Sequence, residues 1–217
     1  VHAGTIIKLS LGNDALPDLE FVSGVLSTID DGDPTTPGDQ NTAVEFLDFL
    51  SFLPNIPSAD GSYTMSGVSA VGPPTVLFGA VVVQPLTGGS FQLYDDSNGL
   101  LLDALLGDSV LQGVTGPAGP AATGAVFSTT FGTIVGGSLA PYIAPNSITM
   151  SIAMTEVVSG ATPGMLVGVD AFGVDYLLDF VADATETIAA EQIPEPTSAL
   201  LILIGLVAAP LAAKRRR

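Results

Sequence analysis

Alternating apolar and polar residues are clearest between residues 147 and 155. Ile148, Met150, Ile152 and Met154 occupy every second position, and hydroxyl-bearing residues or alanine fill the positions between them. Successive side chains of an extended strand point to opposite faces, so this pattern predicts a strand with one buried face.

A similar pattern predicts a hairpin between residues 90 and 106. Phe91 and Leu93 share one face of the first predicted strand, and the sequence Asp95-Asp96-Ser97-Asn98-Gly99 follows it. The Asn98-Gly99 pair favours a tight turn. Residues 100–106 suit either a strand or a short helix by periodicity, and we favour the strand because it would complete the hairpin.

Other segments also have strand-like patterns, and short clusters of Gly, Pro, Asn and Asp separate them. This spacing is typical of a sandwich or a closed antiparallel sheet rather than of alternating strands and helices. We therefore predict an all-β fold, an antiparallel β-sandwich of jelly-roll-like form, over residues 4–181. The further candidate strands are 5–11, 20–29, 43–49, 62–66, 76–83, 125–135, 165–169 and 174–180.

The composition agrees with a single folded domain. The chain has 217 residues, of which 47% are hydrophobic and 12% charged, so it is long and apolar enough to bury a sizeable core. The 25 glycines and 16 prolines suit the many turns of an all-β fold.

Charge is distributed very unevenly along the chain. The formal net charge is -17, but four of the five basic residues are the last four residues. Lys8 is the one basic residue before Pro194, against 21 acidic residues, so this part of the chain carries a net charge of -20. Such a field repels nucleic acid and attracts divalent cations.

The end of the chain has a different organisation. Residues 182–193 are polar and alanine-rich, and we expect a frayed helix or a stalk that links the body to a tail over residues 194–217. The tail consists of Pro194-Glu195-Pro196, an uncharged run over residues 197–213, and the basic cluster Lys214, Arg215, Arg216 and Arg217.

The uncharged run predicts a short hydrophobic helix. Its 17 residues would span about 25 Å as a helix, against roughly 30 Å for the hydrocarbon core of a membrane. Pro210 weakens the helix further, and the basic cluster is expected on the cytoplasmic side. We therefore predict a transmembrane helix that anchors the chain only temporarily, with the body on the outer side.

These three parts together resemble the PEP-CTERM sorting signal of Gram-negative and related bacteria. The resemblance covers the tail alone. It implies recognition by exosortase, a membrane protease-transpeptidase, cleavage near Pro194-Glu195-Pro196, and transfer to the cell surface or release, commonly alongside exopolysaccharide. The expected function is that of an exported, non-catalytic surface or extracellular-matrix protein.

The first residues are consistent with export. Val1-His2-Ala3 fits the small-x-small end of a signal peptide, so we interpret residues 1–3 as a signal-peptide remnant.

Few residue types with catalytic chemistry are present. His2 is the only histidine and there is no cysteine, so the body offers no serine-histidine triad, imidazole metal site or thiol nucleophile. The alternative function is a secreted glycan-binding or glycan-hydrolysing protein built on carboxylates. The absence of Trp, with only four Tyr, disfavours it because glycan sites commonly have an aromatic floor.

One acidic loop supports a calcium hypothesis. Asp30, Asp31, Asp33, Asp39 and Asn41 place oxygen ligands close together, as Ca²⁺ requires. The spacing differs from that of an EF-hand, and a solvated loop explains the same residues. Asp95 and Asp96 form a weaker candidate, for which the hairpin turn is a sufficient explanation.

Overall fold

The computed structural model describes residues 4–11, 17–30, 42–49, 60–115, 124–144 and 148–190. These residues contain one short 3-10 helix, Ala140–Tyr142, and otherwise strands and turns. The strands are β1 (Gly4–Leu11), β2 (Leu19–Val22), β3 (Val25–Thr28), β4 (Thr42–Phe49), β5 (Asp60–Ser66), β6 (Val68–Ala70), β7 (Thr75–Leu77), β8 (Val81–Thr87), β9 (Ser90–Asp95), β10 (Leu100–Val114), β11 (Ala125–Gly136), β12 (Thr149–Ser159), β13 (Thr162–Pro163), β14 (Val167–Val169), β15 (Asp175–Leu177) and β16 (Phe180–Ala190).

Four long strands form one side of the molecule. β10, β11, β12 and β16 lie next to one another in this order, and each pair is antiparallel. The other edge of β10 pairs with β9 through residues 100–105 and with β8 through residues 109–114. The other edge of β16 pairs with β2 through residues 180–182 and with β1 through residues 185–190.

Two short layers connect β10 back to β16. The first layer runs through β9, β5, β4 and β1, and the second layer runs through β8, β6, β3 and β2. Hydrogen-bonded strands therefore form closed circuits, and 14 strands belong to one sheet. The all-β antiparallel prediction is confirmed. The sandwich remains a prediction, because these strands are continuous rather than divided into two separate sheets.

The core lies between the long strands and the two layers. β12 shows the predicted alternation, with Met150, Ile152 and Met154 buried and the residues between them exposed. Leu9 and Phe91 of the first layer and Phe21 of the second layer are buried in the same hydrophobic cluster. The period-two pattern of the sequence thus corresponds to the inner and outer faces of the closed sheet.

Hydroxyl groups join the two layers where strand pairing is interrupted. The Thr28 hydroxyl of β3 accepts a hydrogen bond from the Met65 N–H of β5 at 3.0 Å and donates to the Met65 carbonyl at 3.2 Å. The Thr42 hydroxyl of β4 donates to the carbonyl of Ile29 at 2.8 Å. Hydrogen bonds from two threonine side chains therefore connect the two layers here, in place of backbone hydrogen bonds between paired strands.

Several predicted strands are divided by turns. The predicted strand 20–29 is a hairpin, because Ser23 and Gly24 both have positive φ angles (51° and 83°) and reverse the chain between β2 and β3. The predicted strand 76–83 is likewise divided between β7 and β8. The hairpin at 90–106 is confirmed, and its second strand β10 continues to Val114.

The predicted linker over 182–193 is wrong for residues 182–190. They belong to β16, which pairs with β12 on one edge and β1 on the other. Ala182, Ala184 and Ile188 alternate with more exposed residues, so the alanines fill narrow inward positions in a strand. The predicted C-terminal helix and the signal-peptide remnant lie outside the described residues.

The Thr28 hydroxyl gives a stability prediction. Thr28→Val preserves the shape of the side chain but leaves the N–H and carbonyl of the buried Met65 without this partner. We expect the free energy of unfolding in urea to fall by about 1–3 kcal/mol. Thr155→Val, at an exposed position of β12, is the matched control and should change it by less than about 0.5 kcal/mol. Equal effects of the two substitutions would contradict a joint at Thr28.

Candidate functional site

The acidic loop predicted to bind calcium is only partly described. Asp30 is exposed at the end of the β3 segment, and Asp31, Asp33, Asp39 and Asn41 lie outside the described residues. Within the described part of the chain no group of three metal-ligating side chains comes together. The calcium hypothesis stays a prediction.

The second acidic segment, Asp95 to Gly99, is a structural turn. Asp95 Oδ1 accepts hydrogen bonds from the N–H groups of Ser97 at 2.9 Å and Gly99 at 2.6 Å. Asn98 has a φ of 60°, as the predicted tight turn requires. This carboxylate is therefore used to close the hairpin between β9 and β10.

A concavity of about 450 Å³ lies where the second layer meets the segment around β15. Phe21 and Leu177 are buried members of the hydrophobic core and supply apolar lining. Phe21 also stacks on Phe180 with 5.4 Å between ring centroids. We call this space the Tyr176 concavity; it is lined by Phe21, Ser23, Gly24, Ala70, Gly72, Gln84, Tyr176, Leu177 and Asp179.

Gln84 is fixed in the Tyr176 concavity by its amide nitrogen. Nε2 donates to the carbonyls of Gly72 at 3.1 Å and Pro85 at 2.9 Å, and the residue is 1% exposed. These two contacts use the amide nitrogen and not Oε1, which is the acceptor of the side chain. The Nε2 contacts hold this oxygen in a fixed orientation.

Asp179 supplies the carboxylate of the Tyr176 concavity. Its Oδ1 accepts a hydrogen bond from the Ser23 N–H at 2.8 Å, across the β2–β3 turn. Ser23 has a positive φ angle and lies in the turn itself, so the carboxylate hydrogen-bonds the backbone at the point where the chain reverses. The second carboxylate oxygen adds another acceptor to the lining.

The Tyr176 ring packs over a glycine on the paired strand. Gly168 pairs with Tyr176 between β14 and β15, and a Cβ atom at Gly168 would lie 2.9 Å from the tyrosine ring. The ring therefore lies across the glycine backbone, and 46% of the residue remains exposed. Such a ring is both positioned and accessible.

A second, shallow concavity of about 390 Å³ lies on the outer face of the long strands. Ser128, Ser151 and Thr187 are opposite one another on β11, β12 and β16, and Thr130 is opposite Thr149 in the next row. Asp108 is the one charged residue among its lining residues. This hydroxyl face, defined as Ser128, Thr130, Thr149, Ser151 and Thr187, can both donate and accept hydrogen bonds.

One carboxyl group is completely buried in the core. Glu186 of β16 lies opposite Leu9 of β1 and Ile152 of β12, which are themselves buried. Neither of its carboxyl oxygens has a hydrogen-bond partner among the described residues. Burial away from water raises the pKa of Glu186 to about 8, because the charged form loses its hydration.

Tyr63 and Asp18 lie in the same electrostatic environment. Burial raises the pKa of Tyr63 well above its ordinary value, and the carboxyl groups of Glu186 and Asp18 raise it further. Asp18 Oδ2 accepts the Ala184 N–H at 2.8 Å, between the segments of β16 that pair with β2 and β1. Asp18 thus continues the hydrogen bonding along the edge of β16 that faces β2 and β1, at the point where neither of these strands pairs with it.

Sequence reasoning missed both Glu186 and the Tyr176 concavity. Phe180, Ala182, Ala184, Glu186 and Ile188 occupy every second position, so alternation would have placed Glu186 on the inner face. The Tyr176 concavity joins residues from 21 to 179, and no local pattern brings them together. The predicted sorting residues Pro194, Glu195 and Pro196 and the basic cluster Lys214 to Arg217 lie outside the described residues.

Comparison with known proteins supports the interpretation of the tail. Residues 192–217 match the family model described as the PEP-CTERM protein-sorting motif. The predicted resemblance is therefore confirmed over this segment, and it indicates export and sorting to the cell surface. No curated protein and no solved structure matches this chain. None of the helices in the described ranges is long and apolar enough to cross a membrane.

Glu186 gives a pH-dependence prediction. Its pKa is about 8 in the folded protein against an ordinary value of 4.5, so the folded state keeps a proton that the unfolded chain releases. This contribution to stability is complete below about pH 4.5 and is lost as the pH rises to about 8. Glu186→Gln should remove that loss, so the variant should be more stable than the parent at pH 8 and differ less at pH 5.

Urea unfolding at several pH values measures this difference. Glu45→Gln, at an exposed position of β4, is the matched control and should follow the parent protein over the whole pH range. A parallel pH dependence of the parent and Glu186→Gln would show that Glu186 titrates normally.

The calcium hypothesis is tested by thermal unfolding. If Asp30, Asp31, Asp33, Asp39 and Asn41 bind Ca²⁺, the melting temperature should rise in millimolar CaCl₂ and fall in EDTA, because a ligand that binds only the folded state stabilises it. Asp31→Asn with Asp33→Asn should abolish the rise, whereas Asp95→Asn should keep it. An unchanged melting temperature in CaCl₂ rules the site out.

Proposed function

We propose that this PEP-CTERM protein is an exported, non-catalytic surface or extracellular-matrix protein. The observation that carries the proposal is the sorting motif at residues 192–217. In this proposal exosortase recognises the tail, the helix over residues 197–213 holds the chain briefly in the inner membrane, and cleavage near Pro194-Glu195-Pro196 delivers the body to the surface or the medium.

The connection between body and tail supports temporary anchoring. β16 ends at Ala190, two residues before the matched segment begins. The folded body would therefore lie close to the membrane before cleavage, with only a few residues in between. Such a connection suits delivery of the body to an enzyme in the membrane better than display on a long stalk.

The composition of the body supports a non-catalytic role. The chain has no cysteine, and its only histidine is His2. Glu186 has the raised pKa often found in catalytic acids, but it lines neither of the two concavities described above. Its carboxyl group is enclosed by the core, which supports a structural rather than a catalytic role.

The hydroxyl face supports association with exopolysaccharide. Hydroxyl groups on three neighbouring strands can hydrogen-bond the hydroxyl groups of a polysaccharide, and the sheet holds them in place before binding. Glycan hydrolysis, part of the alternative function, is disfavoured. Two carboxylates must flank the bond that is cleaved, and Asp179 is the one carboxylate among the described residues lining the Tyr176 concavity.

Substitution of the sorting motif tests the proposal in the native cells. The variant Pro194→Ala, Glu195→Ala, Pro196→Ala should remain in the membrane fraction with residues 197–217 attached, because the recognised motif is lost. The parent protein should lack these residues once it reaches the surface. Cell fractionation and mass spectrometry of the C-terminal peptide measure both.

Thr197→Ala with Ser198→Ala is the matched control, since it changes the adjacent residues and leaves the motif intact. This variant should be processed like the parent. Mature parent protein that retains Lys214 to Arg217, or a triple variant that is processed normally, would refute sorting by this motif.

A further inference from the structure

We propose that the Tyr176 concavity is a binding site for a neutral saccharide. Its volume of about 450 Å³ lies within the range of small-molecule sites, which combine an apolar lining with a few oriented polar groups. Phe21 and Leu177 give the apolar lining, and Gln84 and Asp179 give the polar groups. The inference goes beyond delivery to the surface and identifies a means by which the body holds its matrix.

The polar groups require a ligand that donates hydrogen bonds. Gln84 Nε2 is already used by the carbonyls of Gly72 and Pro85, so its free group is the acceptor Oε1. Asp179 Oδ1 accepts from Ser23, and the other carboxylate oxygen is a second acceptor. Neighbouring hydroxyl groups of a sugar ring can donate to both acceptors.

Gln84 is also held ready for a ligand by its own hydrogen bonds. The two Nε2 contacts fix the plane of the side-chain amide, so Oε1 does not need to rearrange to accept a hydroxyl group. Gln84 is 1% exposed and is fixed before the ligand arrives. Little conformational entropy is therefore lost when the ligand binds.

Tyr176 supplies the aromatic contact. One face of its ring lies against Gly168, and the residue is 46% exposed. The C–H groups of a sugar ring form an apolar face that packs on such a ring while the hydroxyl groups point to its edge. Tyr176 therefore supplies locally an aromatic floor, which the composition of the chain as a whole disfavours.

The charge of the body determines which saccharide fits. Residues before Pro194 carry a net charge of -20, so an anionic sugar would be repelled, all the more next to Asp179. A cationic ligand would be expected to face several carboxylates, and Asp179 is the one carboxylate in the described lining. A neutral saccharide agrees with both observations.

Affinity gel electrophoresis tests the proposal on the full chain. The protein is purified in a polyoxyethylene detergent, which has no sugar headgroup, and is run through native gels containing dextran, hydroxyethylcellulose, alginate or polysaccharide extracted from the native cells. Its net charge of -17 drives it toward the anode, and binding slows it. We expect at least one neutral polysaccharide to retard the protein and alginate not to.

Matched variants locate the binding. Tyr176→Ala should weaken the retardation about three- to tenfold, and Tyr176→Phe should keep it, because the ring and not the hydroxyl group makes the contact. Tyr142→Ala removes an equally accessible tyrosine, 41% exposed, outside the concavity and should have no effect. Asp179→Asn should weaken binding about tenfold, whereas Asp175→Asn makes the same charge change outside the site and should not.

The inference is overturned if no neutral polysaccharide retards the parent, including the native extract, or if only alginate does. It is also overturned if Tyr176→Ala and Tyr142→Ala are retarded equally. Far-UV circular dichroism confirms that each variant folds. Because tail processing is measured separately in cells, failure here with normal processing would remove the saccharide site and leave the proposed export function standing.

Discussion

Strand β16 is the constraint on which the rest of the fold depends. It pairs with β12 along one edge and, along the other, first with β2 and then with β1. Each of the two short layers begins next to β10 and ends next to β16. Every closed circuit of paired strands that contains a layer therefore passes through β16. The change from one layer to the other occurs at residues 183–184, where the Asp18 carboxylate accepts the Ala184 N–H in place of a strand. The Asp18 side chain therefore bridges the gap between the two segments of this β16 edge, one paired with β2 and the other with β1.

The alternation of residues predicted individual strands well and their arrangement poorly. β12, β9 and the start of β10 follow from period-two patterns and from the Asn98-Gly99 turn, because these features are local. The hairpin at Ser23 and Gly24 was missed, since serine seldom indicates a positive φ. The sequence predicts a frayed helix or a stalk for residues 182–190, because several of their inward positions hold alanines and a glutamate instead of large apolar side chains. The sorting motif of the tail was predicted because its information is contained in consecutive residues.

The candidate site depends on contacts that are distant in sequence. Ser23 meets Asp179 across 156 residues, and Gln84 is oriented by carbonyls from a neighbouring loop and its own strand. Nothing in the sequence around Tyr176 shows that Gly168 will lie beneath its ring. The acidic composition, however, already disfavours nucleic acid as a partner, because a negative field repels phosphate. The structure adds that carboxylates such as Asp18 and Asp95 are already used for internal hydrogen bonds, so charge alone does not identify a binding group.

The position of β16 also sets the order in which an exported chain can fold. Gly4 of β1 is paired with Ala190 of β16, so the two ends of the body are neighbours in the finished sheet. A chain that crosses the membrane from its N-terminus delivers β16 last, only two residues ahead of the matched sorting segment. The sheet can close only when translocation is almost complete. The pairs of β16 with β1, β2 and β12 need residues from both ends of the body, so a chain that is exported in this direction would complete its sheet only on the far side of the membrane.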